Sequence, residues 1–218
     1  MDSSLAVNLL DAQSIISTLG LFGILAIIFI ETGLLVGLVF PGDSLLFLAG
    51  VAASGAAAKI FDGLQLNIAL LLIGAFIAAV SGSQLGYWIG KKYGRKLFDR
   101  SDGRFFNQKK VLATERWLSK YGTGRALILS RYIPFVRTLI NPMCGIINMP
   151  TKTFFMWNVV GALIWTQGLI TAGYFLGEKL EGSIDTYLLP VIGLIIFVSL
   201  IPVGIELFRE RRTRKHLS

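Results

Sequence analysis

Four ionisable residues sit where an apolar chain should have none. Glu31 and Asp43 lie in the nearly unbroken apolar stretch from Leu21 to Ala58, and Arg131 and Arg137 lie in a second one, residues 122–150. A charge at bilayer depth costs several kcal/mol, so each side chain must face protein or water, and an opposite charge is its cheapest neighbour. Two acids and two arginines make a neutral set. A guanidinium binds phosphate through paired N–H donors and stays charged at any accessible pH. A carboxylate behaves differently: burial and a nearby cation pull its proton affinity in opposite directions, so it can be tuned to exchange a proton. The coherent division of labour gives phosphate to Arg131 and Arg137 and protons to Glu31 and Asp43. The plainer alternative is two structural salt bridges, a task that small or apolar residues perform at lower cost.

Spacing says what must bring these four together. On one straight helix Glu31 and Asp43 would stand about 18 Å apart along the axis, and Arg131 and Arg137 would point about 120° away from each other. Convergence needs breaks inside each pair. Pro41-Gly42 falls between the acids and Pro134 between the arginines, while Asn141-Pro142 predicts a further break. The two stretches therefore read as helical limbs around a break, the first over residues 20–58 and the second over 122–150. Limbs of this length suit short spans or re-entrant hairpins that enter and leave on one side.

Composition fixes the medium. Of 218 residues 54% are hydrophobic and only 16% charged, with a mean hydropathy of +0.67. This is an all-α integral membrane protein, a single membrane domain over residues 1–218. Full spans are expected at 66–90, 153–176 and 187–208, with a basic interfacial segment at 91–121 and a basic tail at 209–218. Residues 1–20 carry no basic region ahead of the apolar run, so no removable signal peptide is expected. The net charge of +8 is concentrated beside the membrane. Eleven lysines and arginines lie between Lys91 and Arg125 and five between Arg209 and Lys215, which places both segments in the cytoplasm and against anionic lipid. No recognition motif turns this charge toward nucleic acid. Cys144 is the only cysteine and His216 the only histidine, so neither a disulfide nor a histidine-based metal site is expected, and no cofactor is called for.

Orientation follows by parity. With 91–121 inside, the span before it runs inward, the span after 150 runs outward, and the last returns to the basic tail. The loop holding Glu178, Lys179, Glu181 and Asp185 is then external. Gly86-Tyr87-Trp88-Ile89-Gly90 resembles Gly173-Tyr174-Phe175-Leu176-Gly177, each closing the span that follows a broken stretch. The halves read as an inverted repeat, a transporter signature. Gly82, Gly86, Gly90 and Gly94 recur every four residues, a close-packing face within the chain or across a homodimer. Tyr87 and Trp88 are expected as interfacial anchors, and Trp157 and Trp165 as ordinary packing or lipid contacts, with a place along a lipid path as the alternative.

The string Glu31, Gly33, Phe40-Pro41-Gly42-Asp43-Ser44, the glycine-spaced segment 82–90, and Arg131-Tyr132-Ile133-Pro134-Phe135-Val136-Arg137-Thr138 with Gly145 closely resembles the DedA family of bacterial membrane proteins, also called the VTT-domain family. The resemblance covers about residues 20–180. Asn141-Pro142-Met143-Cys144-Gly145 departs only in carrying Cys-Gly where many members have Ala-Gly. It implies two facing re-entrant hairpins in the bacterial inner membrane. It also implies acids at Glu31 and Asp43 and arginines at Arg131 and Arg137 in the positions that activity needs, supported by Pro41, Gly42, Ser44, Pro134, Thr138, Asn141 and Pro142. The resemblance further implies lipid translocation, since bacterial members are linked to recycling of undecaprenyl phosphate or to phospholipid flipping, with dependence on proton-motive force.

The expected function is thus a lipid translocase, not an enzyme, that moves a phosphate-bearing lipid such as undecaprenyl phosphate or phosphatidylethanolamine between leaflets with protons. An intramembrane enzyme built on Glu31 and Asp43, or a membrane assembly factor without turnover, are the alternatives. The assembly factor predicts that neutralising the four charges leaves function intact.

Overall fold

The computed structural model describes residues 12–34, 42–55, 57, 61, 64–98 and 108–181, and these are helical throughout apart from turns and short connections. Among the described residues the main helices are α1 (Ala12–Gly33), α2 (Gly42–Ala52), α3 (Ile68–Phe98), α4 (Gln108–Tyr121), α5 (Thr123–Ser130), α6 (Pro134–Ile146) and α7 (Thr151–Glu181). The expected last span and basic tail, with Glu206 and His216, lie outside the described residues, as does Pro41.

Among the described residues two helices, over Ile68–Gly94 in α3 and Thr151–Lys179 in α7, are long and apolar enough to cross a membrane. Their outward faces carry exposed Leu70, Ile73, Ile77, Leu163, Ile164 and Phe175, side chains that hydrocarbon can solvate. Both run further than expected. Glu178, Lys179 and Glu181 belong to α7 instead of a loop, the helix running on through Gly177 to Glu181. Glu178 ties the end of α7 to the end of α2, its Oε1 accepting from the Gly55 N–H at 2.8 Å.

The short helices cross-pack: α2 lies along α7, and α6 along α3, while α1 also rests on α3. Glycine makes these approaches possible. A Cβ at Gly50 would strike the carbonyl oxygen of Ile170, and one at Gly173 that of Phe47. Likewise a Cβ at Gly145 would strike the Tyr87 carbonyl, and one at Gly90 the Pro142 carbonyl. The glycine ladder of α3 is used within the chain. Gly82 and Gly86 receive α1, and Gly90 and Gly94 receive α6.

Tyr87 is not an interfacial anchor. It is fully buried, stacks on Phe154 at 4.5 Å, and its hydroxyl donates to the Met149 carbonyl at 2.6 Å. The turn between α6 and α7 covers it, which a string of residues cannot reveal. Trp88, next in the chain, faces outward.

Helix α1 is interrupted at Gly20, whose φ of 58° suits glycine, and ends at Gly33, ahead of the break expected near residues 40–42. Pro134 opens α6 after a turn at Arg131–Ile133, as expected of a residue with no N–H to contribute. The second expected break is absent: α6 runs on through Pro142 to Ile146, its packing against α3 holding the helix together across the missing hydrogen bond.

Candidate functional site

Each charged residue reaches the site from a different element. Glu31 comes from the last turn of α1 and Asp43 from the first turn of α2. Arg131 follows the end of α5 and Arg137 sits in the first turn of α6. Arg137 joins the two acids. Its Nη2 is paired with Glu31 Oε1, and its Nη1 with Asp43 Oδ1 at 2.6 Å. One guanidinium therefore spans two carboxylates on two helices, as its fork of donors allows.

The two acids differ in access. Glu31 is fully buried, whereas the Asp43 side chain is 40% exposed. Glu31 lies against Gly42, where any Cβ would overlap its carboxylate. Glu31 Oε2 and Arg137 Nε are buried with no hydrogen-bond partner among the described residues. Such a network is less than fully satisfied, and a rearrangement costs it correspondingly less.

Arg131 is held otherwise. It meets no carboxylate among the described residues. Its Nη2 donates to Asn158 through both the side-chain Oδ1 and, at 3.3 Å, the main-chain carbonyl, and to Ser83 Oγ at 3.3 Å. The neutral set of four is thus not divided into two pairs: Arg137 takes both acids. Asn158 is itself fixed by donation from Nδ2 to the Val80 carbonyl at 3.0 Å. Gly161 leaves room for the Arg131 side chain, since a Cβ there would lie 2.9 Å from its Nε.

Trp165 occupies the centre. Its Nε1–H donates to Asp43 Oδ1 at 2.8 Å, and its ring lies 5.0 Å from the Arg137 guanidinium carbon and 5.9 Å from that of Arg131. Both distances are within cation–π range. Both arginines also line a small cavity with Ser130, Asn141, Phe154 and Asn158, with room for about one water molecule.

The supporting residues fall around this centre. Gly42 and Ser44 are buried in the first turn of α2. Asn141 joins α6 to the end of α1, donating from Nδ2 to the Thr32 carbonyl at 3.0 Å, and Pro142 lies against Gly90 of α3. Pro134 and Thr138 lie in α6 on either side of Arg137.

Asn158 and Trp165 were not among the expected site residues, and Trp165 was expected to be packing. A signal was present. Asn158, Gly161, Ala162 and Trp165 follow the i, i+3, i+4, i+7 spacing of one helical face, all buried, so the only hydrogen-bonding side chains of that stripe point the same way.

Comparison with known proteins bears on this arrangement. The VTT domain matches residues 40–175, which include Asp43, both arginines, Asn158 and Trp165. Protein DedA of Escherichia coli strain K12 is 37% identical over 186 residues, covering 85% of this chain and 81% of that protein. This chain belongs to the DedA family. Uncharacterized membrane proteins of Mycobacterium tuberculosis strain H37Rv and Mycobacterium leprae strain TN are each 35% identical, over 207 and 192 residues. These alignments cover 95% and 87% of this chain and 87% and 80% of the respective relatives. No solved structure matches the chain. As a DedA-family member it is a helical membrane protein, from a family linked to membrane lipid transport.

Proposed function

We propose that this DedA-family protein moves a phosphate-bearing lipid, undecaprenyl phosphate or a glycerophospholipid such as phosphatidylethanolamine, between leaflets. It acts as a translocase and not as a hydrolase or transferase. Arg131 and Arg137 take the headgroup phosphate, and Glu31 and Asp43 carry coupled protons. The observation that carries this reading is the asymmetry of the arginines: Arg137 holds both carboxylates, while Arg131 is held by an amide and a hydroxyl and keeps its charge. Protonating either acid removes one ion pair from Arg137 and frees a donor for phosphate beside Arg131. One elementary charge moved through 100 mV corresponds to roughly 2.3 kcal/mol, which biases an exchange roughly fifty-fold.

The two halves act as an inverted pair of hairpins, with the basic segments cytoplasmic and in contact with anionic lipid. Support comes from the glycine contacts. Phe47 against Gly173 and Gly50 against Ile170 match Pro142 against Gly90 and Gly145 against Tyr87, with the same spacing along each helix. This register pairs Gly90 with Gly173, one turn from the alignment that the Gly-Tyr strings suggest.

Reconstitution into liposomes with labelled undecaprenyl phosphate and phosphatidylethanolamine, with and without an imposed pH gradient, tests the proposal. One lipid is expected to change leaflets faster than in protein-free vesicles, and faster still with the gradient. Protein-free rates for both lipids would overturn the transport reading, and rates indifferent to the gradient would remove the proton coupling.

A further inference from the structure

The position of Trp165 assigns it a role beyond packing. Asp43 Oδ1 accepts two N–H donors from two different helices, Arg137 Nη1 at 2.6 Å and Trp165 Nε1 at 2.8 Å. Two convergent donors, one charged, against a single anionic oxygen make a seat for an oxyanion, and a phosphate oxygen has the same requirements as a carboxylate oxygen. The cavity between the arginines admits about one water molecule, so a phosphate group reaches Arg137 only if a side chain leaves. Glu31 is fully enclosed, while Asp43 is 40% exposed at the edge of the cluster. Asp43 is the group that leaves.

We propose that the indole N–H of Trp165 is a donor to the headgroup phosphate, in a seat shared with Arg137 that the Asp43 carboxylate occupies at rest. This rests on the reading that the arginines bind phosphate. Asp43 is then a built-in competitor, and its departure exposes two donors already aimed at one point. The ring keeps its place beside both guanidiniums throughout, so the seat is not rebuilt when its occupant changes. A hydrogen bond from indole to a charged acceptor corresponds to about tenfold or more in affinity.

Binding of two probes, inorganic phosphate and water-soluble dihexanoyl phosphatidic acid, to the purified full chain in detergent tests this, with dihexanoylglycerol as the phosphate-free control. The phosphatidic acid alone binding identifies a lipid headgroup site, and inorganic phosphate binding equally well identifies a free-phosphate site; the seat takes the same oxygen in both. Asp43→Asn keeps the shape and removes the competing charge, and is expected to tighten binding about tenfold. Trp165→Phe keeps the ring and removes the N–H. In the Asp43→Asn background it is expected to weaken binding about tenfold, because the donor then acts on the probe alone. Unchanged binding on adding Trp165→Phe to Asp43→Asn would overturn the donor role and leave Trp165 as a support for Asp43. Where thermal unfolding shows the Trp165→Phe chain to be unfolded, Asp43→Asn alone decides, and failure to tighten overturns the resting seat. Arg137→Ala and Arg131→Ala separate the two readings. Binding that survives both, or a wild-type chain that binds neither probe, overturns the phosphate role of the arginines. Binding that depends on them but ignores Asp43 and Trp165 overturns only the present inference.

Discussion

The Glu31 carboxylate lies against the Cα of Gly42, so close that no side chain fits between them. The approach of α1 to α2 at this point needs a residue without a Cβ. Gly42→Ala must therefore push a fully buried carboxylate away from Arg137. We expect a loss of about 1–3 kcal/mol in thermal unfolding and a loss of lipid translocation. Adding Glu31→Asp shortens the acid by one methylene and is expected to restore part of the stability. No recovery in the double variant would place the strain elsewhere.

Arg137 divides its two terminal nitrogens between acids on different helices. Lysine offers one compact ammonium and cannot reproduce that fork. Arg137→Lys is expected to cost about 1–3 kcal/mol, short of unfolding because charge is retained, and to lower the translocation rate at least about tenfold. A lysine variant with wild-type transport would show that charge alone suffices.

Arg131 is held by an amide where an acid would neutralise it. Asn158→Asp gives it a carboxylate partner but loses the donation to the Val80 carbonyl. These effects oppose one another, so stability should stay within about 1 kcal/mol of the parent. Phosphate binding should fall about tenfold or more, since Arg131 then carries its own anion. Titration of the folded variant with inorganic phosphate or dihexanoyl phosphatidic acid checks this.

The glycines of α6 and α7 give an internal contrast. At Gly145 a Cβ would meet the Tyr87 carbonyl and lie 2.6 Å from the Lys91 nitrogen, both backbone atoms that cannot turn aside. At Gly168 nothing lies within 4 Å. Gly145→Ala is expected to cost about 1–3 kcal/mol, and Gly168→Ala to be neutral or to gain up to about 1 kcal/mol of helix propensity. Thermal unfolding of the two variants side by side would reveal whether α6 is seated on α3 as described.

The charged part of the site was legible because charge in an apolar stretch is costly, and cost makes Glu31, Asp43, Arg131 and Arg137 conspicuous. Their partition was not. Nothing in the spacing says that Arg137 takes both acids, since that depends on how α1, α2 and α6 cross. Asn158 and Trp165 stayed hidden for a different reason: an amide or an indole inside an apolar helix is affordable, so its presence demands no explanation. The glycine ladder was readable as a packing face, but its partners were not. The two Gly-Tyr strings did not show what each packs against, because letters record neighbours in the chain and not the face a helix presents. Tyr87 was misplaced by the same limit.

The ion pairs also set an order of events in biosynthesis. Glu31 precedes its countercharge by 106 residues and Asp43 by 94. By the time Arg137 is translated, α1, α2 and α3 have already been synthesised. Until then both acids are carried without Arg137, and the hydrocarbon interior is closed to them as charged groups. The first half of this chain therefore emerges with two acids whose countercharge comes only with the second half. When Arg137 arrives it supplies the countercharge for both acids at once, with α7 still to follow.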